Sequence, residues 1–113
     1  MADDPYLGAC SAGVAPQLVH DASTVINNPS RNPATIPLDV AQRGIGGENH
    51  SNAKQVIGTI DCVSRKHLDA ANAAVGSPQG SQDAKKATDI AASEVTYAKA
   101  VKAAYDTSKS GQQ

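Results

Sequence analysis

A chain of 113 residues with no Trp, no Phe and a formal charge of −1 has the length of one domain but is short of bulky side chains. Nine Val, six Ile, four Leu and three Tyr make up nearly all of that bulk, and Ala fills the remainder. The weak charge excludes a nucleic-acid footprint, which needs a concentrated basic face. No apolar run reaches the length of a membrane span.

Alanine forms helix better than any other residue but removes little surface from water. A sequence of this kind is expected to make helices readily and to gain little from packing them within one chain. Close contacts between many copies would then supply what is missing. Charge is also divided unevenly. Residues 1–50 carry two bases against five acids, and residues 51–113 carry eight against six. This mild polarity is compatible with head-to-tail contact. The acidic opening Met1-Ala-Asp-Asp-Pro5 has no apolar core of a signal peptide, so cytoplasmic synthesis is expected, with residence in an assembled particle or filament.

Along the chain, Pro5, Gly8 and Gly13 punctuate a small-residue stretch that reads as an extended arm over residues 1–15, with Tyr6 and Leu7 as its bulky anchors. Pro16 suits the first turn of a helix. Leu18, Val19, Ala22, Val25 and Ile26 follow at helical spacing, and Asn27-Asn28-Pro29 ends the run. Pro29, Pro33 and Pro37 exclude a long element between 29 and 51, although Pro37–Arg43 can form a short helix closed by Gly44. Gly44-Ile-Gly-Gly47 reads as a flexible joint.

A longer helix is predicted from about Asn52 to Val75, capped by Ser51 or Asn49. Its stripe is Ala53, Ile57, Ile60, Ser64, Leu68, Ala71 and Val75, with Val56 and Val63 alongside. Gly76-Ser-Pro78 reads as a stop. Ser81 is expected to cap a last helix running to about Ser108, with Asp83 in its first turn. That helix carries the stripe Ala84, Ala87, Ile90/Ala91, Glu94, Tyr97/Ala98, Val101 and Tyr105. A turn centred near 78–79 would set Ile60 opposite Tyr97 and Val56 opposite Val101. The expected fold is all-α: an antiparallel helical hairpin with an additional N-terminal helix and an extended N-terminal arm. Residues 1–50 form arm, short helix and Pro/Gly-rich linker, and 51–113 the hairpin.

Chemistry-bearing residues form no convincing catalytic or cofactor site. His20, His50 and His67 show no metal-ligand spacing, and His20-Asp21 reads as a solvated pair. Cys62 and His67 stand five apart on one helix and point to different faces, a poor nucleophile–base pair. Cys10 and Cys62 are expected as free thiols, a bond between them requiring an oxidising setting. Gly44-x-Gly46-Gly47 lacks the Lys-Ser/Thr of a phosphate loop, and Asn49-His50-Ser51 is a chance match to a glycosylation acceptor. No catalytic, metal or cofactor-binding residue is therefore assigned, and no enzyme is expected.

Five residues are candidates for contacts with partners: Tyr6, Leu7, Glu94, Tyr97 and Tyr105. Glu94 is the one charge in its stripe; it either reaches water at the edge or pairs with Arg65 or Lys66 of a neighbouring copy. Desolvated pairs of that kind fix register. Tyr97 and Tyr105 are the largest side chains of the second half, and aromatic anchors commonly carry interface energy. Asp89-Ile-Ala-Ala-Ser-Glu-Val95 with Ala103-Ala104-Tyr105 resembles the C-terminal helix of flagellar rod and hook proteins, and type III secretion needle subunits are similar small hairpins. The Asn-rich N-terminal signature of the rod family is absent, so the resemblance implies a composition suited to self-assembling helical subunits and no membership. The expected function is a structural subunit of a large homo-oligomer, a filament or a virion-associated layer. Its partners would be copies of itself and other structural proteins. The alternative is a small cytosolic helical module that offers an apolar hairpin face to a different protein.

Overall fold

The computed structural model describes residues 4–111, and every regular element among them is helical. Five α-helices follow in order: α1 (Leu7–Cys10), α2 (Pro16–Ile26), α3 (Leu38–Ile45), α4 (Ser51–Ala73) and α5 (Pro78–Gly111). Single 3-10 turns at Pro33–Thr35 and Glu48–His50 lead into α3 and α4. No helix among the described residues is long and apolar enough to cross a membrane.

The body is a hairpin of α4 against α5, the most extensive helix pair in the chain. Its direction follows from the cross-links: His67 bonds Asp83, the Ser64 hydroxyl donates to the Ala87 carbonyl at 2.8 Å, and His50 lies against Tyr105. Residues rising along α4 meet residues falling along α5, so the two run antiparallel. The turn differs from the expected one. α4 ends at Ala73, before the expected Val75, and Gly76 takes φ +88°, a left-handed conformation within the turn that follows. Pro78 opens α5 instead of closing the preceding helix, its missing N–H being harmless at that position. Ser77 is the cap, accepting from the Gly80 N–H at 3.0 Å and donating to the Ala74 carbonyl at 2.8 Å. Asp83 consequently sits one turn deeper than expected, within reach of α4. The turn also closes earlier than residues 78–79. Gly80 itself is a close-approach site, where a Cβ would collide with the Ala74 carbonyl.

The core draws on every helix. Leu7, Leu18, Val25, Val40, Val56, Ile60, Val63, Ile90, Tyr97 and Val101 belong to one buried cluster. Such a cluster contradicts the expectation that side chains this small need neighbouring copies to complete a core. Two devices supply the difference. Tyr97 is wholly buried and stands in for the missing Phe and Trp. Ala and Gly let helices approach closely: a Cβ on Gly44 would lie 2.6 Å from the Tyr97 hydroxyl and 2.8 Å from Val101 Cγ2. Gly44 therefore lies buried in the last turn of α3 as a packing residue, where the sequence suggested a joint.

Other expectations need correction. The arm is not extended over its described part: residues 4–14 fold into a turn and α1, Leu7 is buried, and α1 packs on α4. Its first three residues lie outside the described residues. Cys10 and Cys62 are bonded, Cα to Cα 5.7 Å apart, and no free thiol remains. The fold brings α1 onto the middle of α4, a proximity that two lone cysteines separated by 52 residues could not signal. The hairpin stripes are also narrower than the periodicity implied. Leu68, Val75, Ala84, Ala91, Ala98 and Tyr105 are exposed, while Thr59, Ser93 and Thr96 take buried places by donating to carbonyls one turn back in their own helices.

Candidate functional site

Polar chemistry gathers at the turn end of the hairpin. His67 on α4 is buried between two carboxylates: Nε2 lies 2.6 Å from Asp4 Oδ2 and Nδ1 3.0 Å from Asp83 Oδ1. The ring edge of Tyr6 meets the imidazole at 4.8 Å between centroids. Asp4 Oδ1 also accepts the Tyr6 N–H at 3.0 Å. A polar groove of about 290 Å³ opens over the cluster, bordered by Asn27, Gln79, Gln82 and Lys86. The bond from His67 holds the Asp83 carboxyl below its ordinary range, helped by the Gln79 amide and opposed by desolvation. Both ring nitrogens lie at hydrogen-bond distance from a carboxylate, so the imidazole ties the chain's first described residues and α5 to α4.

A second ion pair, buried on its carboxylate side, joins α2 to α3. Asp21 has no exposed surface, and Arg43 grips it in bidentate fashion, Nε to Oδ2 at 2.9 Å and NH2 to Oδ1 at 2.7 Å. Asp39 adds a longer contact at 3.3 Å. These bonds raise the Arg43 pKa further above its already high value. Sequence reading placed Asp21 in a solvated pair with His20. The structure turns His20 outward and gives Asp21 to an arginine 22 residues away. Beside this pair the Tyr97 hydroxyl is buried with no hydrogen-bond partner. Burial, with Asp21 adding and Arg43 opposing, pushes it up to about 12.

Glu94 finds its neighbours within the chain. Burial pushes its carboxyl up and Asp61 of α4 adds to that, while Arg65 opposes. Arg65 is itself bonded to Asp61 at 2.8 Å. The base proposed for a neighbouring copy is thus already beside Glu94 in the same molecule. Glu94 Oε1 is buried and unpartnered. Of the other candidate contact residues, Leu7 and Tyr97 are core, Tyr6 lies against His67, and Tyr105 stays exposed beside His50.

The free end of the hairpin is apolar. Two grooves flank the C-terminal half of α5. One, of about 280 Å³, is lined by Ala53 and Ile57 of α4 and by Ala98, Val101 and Tyr105 of α5. The other, of about 690 Å³, lies between the Pro33–Leu38 segment and Ala100, Ala103 and Ala104. Leu38 at its margin is 66% exposed. At the opposite end, Leu68 near the end of α4 is 49% exposed and Val75, in the turn that follows the helix, is 81% exposed. About 22 Å separates Leu68 from Ala53 at 1.5 Å rise per residue. No group of three His, Cys, Asp or Glu among the described residues is placed to hold a metal ion. Compared with known proteins, the chain matches no family, no curated protein and no solved structure.

Proposed function

We propose that this chain is a non-catalytic structural subunit that assembles head to tail with copies of itself, building a filament or a layered shell. The reading rests on one observation: unlike apolar surfaces stand at opposite ends of a body 56 Å long and 24–29 Å thick. Exposed Leu68 of α4 and Val75 of the following turn stand at the turn end, and small-residue grooves around α5 open at the free end. A contact between unlike surfaces does not satisfy itself within a dimer, so copies add in series until a ring closes or a fibre grows. The Ala-lined grooves admit a helix at close range, and Leu and Val are the residues that fill such a gap. Each contact is small, which suits an assembly whose strength comes from repetition.

Light scattering across a concentration series tests the proposal. The mean mass should climb steadily with concentration through many multiples of the monomer, and electron microscopy of the concentrated sample should show fibres or sheets. A mass fixed at that of one chain over the whole series would overturn the reading and leave the chain as a helical module for a different protein.

A further inference from the structure

Three fastenings of different kinds converge on the first described residues. Asp4 is bonded to His67, Leu7 is buried, and Cys10 is bonded to Cys62. α1 packs on α4, which supplies both the cysteine and the histidine. The side chains of Asp4 and His67 are only 1% and 6% exposed, so the polar fastening is shielded from water. We propose that residues 4–10 form a strap with two locks, a disulfide and a proton-dependent carboxylate–imidazolium–carboxylate bridge, which releases α4 only when both are undone.

The bridge depends on the proton count of one ring. An imidazolium has two N–H groups and donates one to Asp4 and the other to Asp83. A neutral imidazole has a single N–H, so one ring nitrogen turns a lone pair toward a carboxylate. Asp83 has a second donor in Gln79 and some access to water; among the described residues Asp4 has its own local Tyr6 N–H besides the histidine. The charged groups around His67 among the described residues are Asp4 from the strap, and Asp83 and Lys86 from α5 around the groove; Tyr6 on the strap and Asn27 beyond α2 are uncharged. Loss of the His67 proton therefore leaves two carboxylates competing for one donor, and the strap carries the less compensated one.

The disulfide is the other lock. A dithiol reductant attacks one sulfur as thiolate and then resolves the mixed disulfide. Cys10 and Cys62 gain two electrons and two protons, and the reductant closes to its own disulfide. With that bond cut, the strap is held by Leu7 and the bridge alone. Each lock keeps the other's partners together, so they reinforce one another. A reductant at low pH frees the thiols without freeing the strap, and a basic pH with the disulfide intact weakens the bridge without releasing α1.

The test uses the full chain and its Cys10→Ser/Cys62→Ser form, with the Leu7 amide resonance as readout, at about pH 5.5 and about pH 8.5, on either side of the histidine range. The disulfide-bonded chain should keep the docked position at both values. The serine form should be docked at the lower pH and move to the unstructured position at the higher, while the Val101 resonance of α5 stays in place. A serine form that is docked at both values, or undocked at both, overturns the proposal.

A second measurement needs no disulfide-free fold: the equilibrium constant for reduction by dithiothreitol, compared between the natural chain and Asp4→Asn at each pH. At the lower pH the variant should be reduced roughly tenfold more readily, the worth of a hydrogen bond to a charged group. At the higher pH the two should converge. Equal constants at both values would show that Asp4 and the disulfide are not coupled and would overturn the two-lock strap.

Discussion

The two ends of the α4–α5 hairpin are held by opposite kinds of chemistry. At the turn end a buried histidine between two carboxylates and a serine cap close the chain upon itself with directional bonds, and a disulfide fastens α1 to the middle of α4. At the free end the contacts are Ala, Val and Pro surfaces, and the ion pairs there, such as Lys102–Asp106, are exposed and join neighbours on one helix. Exposed pairs of that kind contribute little. The difference teaches where a small-residue chain finds specificity: bonds with fixed geometry tie one end, while the other is left with apolar surface open to a further molecule.

The strongest break in this comparison lies between the ends. Asp21→Ala should lower the urea midpoint more than any other single substitution here, because it removes the buried carboxylate that ties α3 to α2 and leaves Arg43 only its longer contact to Asp39. Removal of the Cys10–Cys62 bond comes next. With the cysteines 52 positions apart, the chain-entropy relation gives about 4 kcal/mol, and residual structure in the unfolded chain reduces what is measured. That loss should fall on the turn end first, seen as faster amide exchange in residues 4–14 than in α5.

Gly44→Ala should cost about 1–3 kcal/mol, since its Cβ meets the Tyr97 hydroxyl and Val101 at sub-contact distances. Tyr97→Phe combined with it should recover part of the loss by removing the unpartnered oxygen. The smallest effect is a gain. Glu94 titrates above the ordinary glutamate range in the fold, so its ionised form works against folding at neutral pH. Glu94→Gln should raise the melting temperature by about 1–3 °C at neutral pH. The gain should fade as pH drops through the glutamate range and the natural carboxyl takes up its proton.

Helix positions were legible because Pro16 and Asn27 mark ends that the backbone itself enforces, and because Gly76 turns the chain between α4 and α5. The apolar periodicity found Ile60, Ile90, Tyr97 and Val101 for the same reason. The fastenings were not legible. Asp4 and His67 stand 63 residues apart, and Asp21 and Arg43 stand 22 apart, so no local spacing announces them. Three-dimensional packing alone brings such pairs together. Ser77-Pro78 misled because the same dipeptide serves as a helix stop and as a cap followed by a first turn. Leu68 fits the helical period yet faces outward, since the stripe that packs on α5 is narrower than the apolar one, and Val75 is exposed because α4 ends before it.

Those two outward residues supply the most direct measurement. Val75→Glu should block the turn end and Ala103→Glu the free end, both at exposed positions that leave the monomer intact. Sedimentation of each variant alone should then give single chains, and their equimolar mixture should give a dimer, made by the one unblocked surface on each partner. Continued assembly of either variant by itself, or a mixture that stays at the mass of one chain, would contradict head-to-tail association of this subunit.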